Sequence, residues 1–433
     1  MREIIRSKIV DSLKAPVPTL TRRDIHVPRI EGKAIAVIGM RRAGKTTFMW
    51  QTLSDRLAQG FPRESLLYFN FEDERLAGMS AADLGFLVDE YFQLHPGIRD
   101  GSRAVFLLDE IQIVTEWEKF ARRLLDTENV DLFLSGSSAA RLSREVATSM
   151  RGRAMEALVH PFSFREYLRH AGSELDTTPD RLPKAGRSAL EKHLRTYLKH
   201  GGFPEAQGAD SRDRRDLLRS YIDVALLRDV VERHGVSQPV ALRWMVRQLL
   251  SNAGGSFSIS KFYRDLKSQG FRIRKDTLHE YLAYLQDAFI VRAVSVATDS
   301  ERRRMVNPRK AYPVDPGIVA LFDSSSSGQV GHCLETCVLL ELERRGAEIA
   351  YAKTANGFEV DFLARYPDGK AELLQVCANL DDTATREREL RALLDAKGEH
   401  RQASLHLIVL DMPVVLDAPT NITVHSASDW FLS

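Results

Sequence analysis

The sequence predicts an α/β protein built on a parallel sheet, followed by helical and further α/β modules. Three observations predict it. Short apolar runs alternate with amphipathic helical stretches through the first half, the pattern of buried strands joined by crossover helices. One run leads directly into "GMRRAGKT", Gly39 to Thr46, a full match to G-x-x-x-x-G-K-[ST]. In the C-terminal third, helix and strand patterns alternate again around "GFEVDFLARYPDGKAELLQVC", Gly357 to Cys377.

Composition sets the bounds. A chain of 433 residues predicts roughly two to four domains. Its 44% hydrophobic and 28% charged residues are those of a soluble globular protein. A net charge of +2 excludes any bulk electrostatic case for a nucleic-acid or membrane partner, so such a case must come from local clusters. The opening "MREIIRSKIVDSLKAPVPTL" has no apolar core of signal-peptide length, and no apolar run is long enough to span a bilayer. The three cysteines, Cys333, Cys337 and Cys377, are odd in number and fit a reducing compartment. The expectation is a cytoplasmic protein without a membrane partner.

The predicted strands of the first half are 34–38, 66–71, 104–108, 131–135 and a run near 156–159. From Pro161 to about Asp229 the pattern is helical, broken by a loop at 172–186 and by "GGFPE" at 201–205. Residues 238–312 read as three helices and a hairpin. In the third helix Leu278, Tyr281, Leu282 and Leu285 fall at i, i+3, i+4, i+7 and form one buried stripe. "TDSERRRMVNPRK" reads as a charged turn. A serine connector at 323–331 precedes helix 332–345, strands near 348–353, 358–364 and 372–377, helix 384–396 and strand 404–410. The implied domains are an N-terminal arm (1–29), a P-loop core (30–160), a helical segment (161–237), a winged-helix-like segment (238–312) and a C-terminal α/β domain (313–433).

The loop of Gly39, Met40, Arg41, Arg42, Ala43, Gly44, Lys45, Thr46 and Thr47 follows the apolar strand "AIAVI" and opens a helix-compatible "KTTFMWQTL". That is the context a phosphate-binding loop requires. Glycines let backbone N–H groups crowd around phosphate oxygens, and the helix N-terminus adds positive potential. Lys45 would reach the β/γ-phosphates and the Thr46 hydroxyl would ligate Mg²⁺, so ATP and Mg²⁺ are the expected cofactors. "AVFLLDEIQ" ends a strand in Asp109-Glu110. Asp109 can hold the metal through water, and Glu110 can deprotonate the attacking water; alone, such a pair is more often a helix cap. After the fourth strand, Ser137 or Ser138 is placed for the γ-phosphate or the lytic water, with helix capping as the alternative. Arg151 or Arg153 is a candidate arginine finger for a neighbouring subunit's nucleotide, weighed evenly against a surface salt bridge.

These pieces, with "SGSSA", "RGR", "PFSFREY", "GGFPE", "AYPVDPGI" and "EVDF…LLQVC", resemble a large prokaryotic family of ATPases across about residues 30–395. Its members join an AAA+-type P-loop module and helical lid to a C-terminal domain of PD-(D/E)xK (restriction-endonuclease-like) core. The resemblance implies ATP binding and hydrolysis and a homo-oligomer, a hexamer among the candidates. It also favours Arg153 of the "RGR" pair.

Three helices and a hairpin are the layout of a winged helix, whose third helix can enter a major groove. Arg272, Arg274 and Lys275 open that helix, and Arg302, Arg303 and Arg304 would sit on the wing, a pattern that points to DNA contact. A docking module for a protein partner is the alternative.

The C-terminal third resembles the PD-(D/E)xK group in its order of helix, three strands, helix and strand. Carried over, Glu335, Asp361 and Gln375 would hold a metal, and Cys377 stands where the nuclease has its lysine. Gln375 lacks a formal charge, and a thiol is mostly neutral at pH 7. Lys353 or Lys370 could substitute, though their spacing does not favour it. The expectation is a nuclease-shaped scaffold without cutting activity, on an oligomeric DNA-remodelling ATPase. An ATP-dependent switch for a protein partner and an ATP-gated nuclease are the rivals.

Overall fold

The computed structural model describes residues 1–136, 150, 152–322, 329–413 and 418–433. The chain divides into two compact units, Met1–His160 with Asp287–Phe289, and Pro161–Gln286 with Ile290–Ser433.

In the first unit Ala34–Ile38 (β1) is buried at every position, as a strand covered on both faces must be. With Leu66–Asn70 (β2), Ala104–Asp109 (β3), Val130–Ser135 (β4) and Ala154–Leu158 (β5) it forms a parallel sheet of order β2-β3-β4-β1-β5. The helices are Arg2–Lys14 (α1), Lys45–Ala58 (α2), Asp83–Leu94 (α3), Pro96–Gly101 (α4) and Trp117–Thr127 (α5). Phe48, Met49 and Leu53 of α2 cover Ile35, Val37, Val105 and Phe133 on one sheet face. Against Phe106 sits Tyr91 of α3, edge-on at 5.0 Å.

The segment expected as an N-terminal arm opens with α1. Ile5 and Ile9, one turn apart, are fully buried, each burial stabilising by roughly 2 kcal/mol. Arg6 donates to Glu90 of α3 at 2.8 Å.

The second unit starts with Phe164–His170 (α6), Lys184–His200 (α7) and Ser211–Val224 (α8), which runs on as a π-helical segment, Ala225–Glu232. Next come Pro239–Leu250 (α9), Ser256–Phe257 (β6), Ile259–Ser268 (α10), Lys275–Asp287 (α11), Val291–Val294 (β7), Glu301–Val306 (α12) and Arg309–Pro313 (β8). The stripe Leu278, Tyr281, Leu282, Leu285 is buried as expected. The three strands form an antiparallel sheet of order β6-β8-β7. Here the structure corrects the turn expected at 298–310. Arg302, Arg303 and Arg304 lie on α12, whose N-cap Ser300 Oγ accepts from Arg303 N at 3.3 Å. All six residues of α12 are exposed, so no apolar periodicity announced the helix.

Pro316–Phe322 (α13) and Gln329–Arg344 (α14) precede the strands Glu348–Lys353 (β9), Glu359–Arg365 (β10) and Ala371–Asn379 (β11). Thr383–Glu399 (α15), Ser404–Asp411 (β12), Ile422–Ser426 (β13) and Ala427–Leu432 (α16) complete the chain. The sheet order is β13-β12-β11-β10-β9, antiparallel from β9 to β11 and parallel from β11 to β13. Leu334, Val338 and Leu342 of α14 cover one face, and Leu390 and Leu393 of α15 cover the other. Just past β7, Val296 forms an isolated parallel bridge with Tyr351 of β9. The sequence reading missed β13 and α16, although Trp430 and Phe431 are buried; two short elements hold too few residues for a period to show. Among the described residues no helix is long and apolar enough to cross a membrane.

Candidate functional site

The loop between β1 and α2 owes its shape to glycine. Gly39 has φ 152°, and a Cβ there would lie 2.2 Å from the Val159 carbonyl oxygen. Gly44, at φ 102°, forms the N-cap of α2. Arg23 braces the loop from outside it. This buried guanidinium donates to the Ala43 carbonyl at 3.0 Å and to the His160 carbonyl at 2.5 Å. Lys45 is buried, and its Nζ donates to the carbonyls of Gly39 and Met40, each at 3.1 Å.

Sheet order brings the second element to this loop. β4 lies between β1 and β3, yet the Thr46 hydroxyl donates to Asp109 Oδ2 at 2.8 Å. Tyr68 OH donates to the same oxygen at 2.7 Å, and Ser135 Oγ donates to Oδ1. Burial, aided by Asp109, pushes the Tyr68 phenol well above its usual range, so it stays a donor. All three donors are neutral hydroxyls, and together they fix the orientation of the Asp109 carboxyl group. Glu110 follows with φ 55°, a left-handed conformation that costs a non-glycine residue about 1 kcal/mol. Its N–H donates to Ser135 Oγ at 3.0 Å and its carboxylate accepts from Gln112. Burial raises the Glu110 pKa, with Lys45 pulling against it, which tunes a carboxylate toward a base.

The structure therefore brings Lys45, Thr46, Asp109 and Glu110 together and adds Tyr68, Ser135 and Arg23, which the sequence reading missed. The alternation of β2 marked Tyr68 only as a strand residue, and Ser135 is the last residue of β4. Ser137, Ser138 and Arg151 lie outside the described residues. Arg153 is not part of this cluster. It precedes β5 at the opposite end of the sheet from the loop, is half exposed and pairs with Asp126.

Of the positions expected to be nuclease-like, Glu335, Asp361 and Gln375 form a second cluster, in the other unit. Asp361 lies in an irregularity of β10, where the register against β9 shifts between Val360 and Leu363; such a bulge re-aims a side chain. Its Oδ2 accepts from Val376 N at 3.1 Å. Gln375 Oε1 accepts from Asp361 N at 3.2 Å, and Gln375 Nε2 donates to Glu389 at 2.6 Å. Glu335 of α14 accepts from Tyr312 OH at 2.6 Å. Cys377 stands apart, its thiol on the Asn379 carbonyl at 3.0 Å and its pKa raised by burial. Neither suggested substitute lysine enters: Lys353 is exposed and Lys370 pairs with Asp368. The cation is Lys310 of β8. Its Nζ lies 2.9 Å from Asp361, 3.1 Å from Glu359 and 3.4 Å from Glu335. Pairing along β8 sets its position, and no local motif could have revealed it.

Cys333 and Cys337 lie on α14, buried in the core, and are not joined in a disulfide. Among the described residues no group of three His, Cys, Asp or Glu side chains is arranged to hold a metal ion, the carboxylates around Lys310 included. Arg272, Arg274 and Lys275, before and at the start of α11, are exposed.

Residues 31–168 match the AAA domain family, and residues 191–327 match a domain of unknown function (DUF8612). The chain thus carries a P-loop ATPase domain of AAA type. A Haemophilus influenzae protein described as uncharacterized is 30% identical over 333 residues, spanning 77% of this chain and 79% of that protein. Among solved structures, the Walker-type ATPase PABY2304 of Pyrococcus abyssi aligns over 74% of this chain and 95% of that chain, at 14% identity and a TM-score of 0.41. The uncharacterized protein MJ1544 of Methanocaldococcus jannaschii is 33% identical over 390 residues, 89% of this chain and 83% of that protein, and the chain belongs to its family.

Proposed function

We infer that this protein is a Mg²⁺-dependent ATP hydrolase of AAA+ type that assembles into a homo-oligomer and remodels DNA, branched DNA included by analogy with junction resolvases. The observation that carries the hydrolase reading is the 2.8 Å contact of Thr46 Oγ1 with Asp109 Oδ2, across an intervening strand.

The residues fit a magnesium nucleotide. Thr46 and Asp109 are hard oxygen donors of the kind Mg²⁺ takes, and the Lys45 ammonium rests on loop carbonyls from which phosphate oxygens would draw it. When bound, MgATP supplies an activated phosphoanhydride and a Lewis-acid cation. Lys45 and the loop N–H groups would bind the phosphates, and Thr46 and Asp109 would hold the metal, Asp109 through water. Glu110 would take the proton of the attacking water at its carboxylate, and Ser135 fixes where that residue begins. Arg153, remote from its own subunit's loop, would act on a neighbour's nucleotide, and Ser137 would meet the γ-phosphate or the water.

The DNA reading rests on the exposed Arg272, Arg274, Lys275 and Arg302–Arg304; the order of α9, α10 and α11 with the β6-β8-β7 sheet supports a winged-helix-like segment, with α12 inserted between β7 and β8. Residues 161–237 would form the lid, and 313–433 a nuclease-shaped scaffold without cutting activity. ATPase rate against single-stranded, duplex and four-way DNA, with particle size measured alongside, tests this. Turnover stimulated by DNA and lost as salt rises is expected; turnover indifferent to DNA would favour a switch for a protein partner.

A further inference from the structure

We propose that Lys310 is a built-in cation that takes the place of a divalent metal in the nuclease-shaped domain, locking β8 to α14 and β10 and keeping metal out. The proposal rests on the reading of that domain as nuclease-like.

The geometry is that of an ion in its ligand shell. One ammonium, 5% exposed, touches carboxylates from two elements: Glu335 of α14 at 3.4 Å, and Glu359 and Asp361 of β10 at 3.1 and 2.9 Å. A side chain of the neighbouring strand closes it, the Tyr351 ring, 5.9 Å from Nζ. Gly254 comes so near that a Cβ on it would lie 2.7 Å from Glu335 Oε2. Burial works against the charged lysine, but Asp361, Glu335 and Glu359 outweigh it and hold the ammonium above its usual range. A divalent ion bridging Glu335 and Asp361 would sit against that ammonium with little water between them, where like charges repel most strongly. Lysine and metal therefore compete for the same oxygens, and the lysine is covalently part of the chain. Gln375 fits the same account. Its oxygen accepts the Asp361 N–H and its amide donates to Glu389, a structural use that needs no negative charge.

Mn²⁺ binding to the nucleotide-free full-length protein, followed by calorimetry and by electron paramagnetic resonance, tests this. Wild type and Asp361→Asn should bind Mn²⁺ alike, because Asp361 is already occupied. Lys310→Met should gain one Mn²⁺ per chain, with affinity about tenfold or more above wild type, and Asp361→Asn in that background should remove it. Lys310→Arg, which keeps the charge, should behave as wild type. If Lys310→Met fails to fold, Lys310→Gln takes its place, and the wild-type comparison with Asp361→Asn decides independently. Mn²⁺ bound by wild type and lost in Asp361→Asn overturns the assignment, as does a folded Lys310→Met without added metal. Asp361-dependent metal bound by wild type without DNA cleavage sinks only the lysine assignment; Asp361-dependent cleavage by wild type sinks the scaffold reading as well.

Discussion

The two carboxylate clusters of this protein use the same residue types to opposite ends. At the phosphate loop, Asp109 accepts from three neutral hydroxyls, those of Thr46, Tyr68 and Ser135, while Lys45 is held by backbone carbonyls. At β10, Asp361 meets an ammonium directly at 2.9 Å. Neutral donors orient a carboxylate and leave its charge for an incoming cation. A contacting lysine offsets one of the cluster's charges and occupies the oxygens that a cation would use. The difference lies less in the carboxylates than in where the fold puts the lysine.

The largest effect should come from breaking the first cluster. Lys45→Ala should lower ATP turnover by at least about a hundredfold and weaken nucleotide retention. Glu110→Gln should lower turnover by roughly 10²- to 10³-fold while a fluorescent nucleotide still binds, because the shape survives and the base does not; an unchanged rate removes Glu110 from the chemistry. A base with a raised pKa works only above it. The acid limb of the pH–rate profile should therefore lie above the ordinary glutamate value.

In the second cluster, Lys310→Met leaves buried carboxylates uncompensated and should destabilise the second unit by about 3 kcal/mol in denaturant unfolding. Burial, then repulsion from Asp361, raises Glu335 from an ordinary 4.5 to about 8. The folded state thus binds this proton more tightly than the unfolded chain does. That contribution is complete below the ordinary value and is lost as pH rises through about 8. Glu335→Gln should flatten the alkaline fall of the melting temperature; a fall identical to wild type would assign it to other groups. The smallest effect lies outside both clusters. Replacing Arg302, Arg303 and Arg304 with alanine should reduce the salt slope of DNA binding by about 2 to 3, measured by fluorescence anisotropy across salt concentrations.

Much of the first cluster was legible in the sequence because its parts are local: a glycine-bearing loop after one strand and an acidic pair ending another. Both depend on neighbours in the chain, and a motif records neighbours. Tyr68 and Arg23 were not legible. They reach the site from β2 and from the N-terminal segment, and a tyrosine in a strand or an arginine in a loop has no distinguishing pattern. α12 was hidden for another reason, since a fully exposed helix has no apolar period to read.

By itself, the sequence determined the strands of the parallel sheet and the glycine-bearing loop with its acidic partner, and it raised the expectation of a nuclease-like pattern lacking its lysine. Backbone preference and residue spacing act over a few positions and are written directly in the chain. Only the tertiary structure decided that Lys310, more than 50 residues before Asp361, supplies a cation to that pattern. A buried charge answers to whichever groups share its low-dielectric surroundings, and strand pairing chooses those groups.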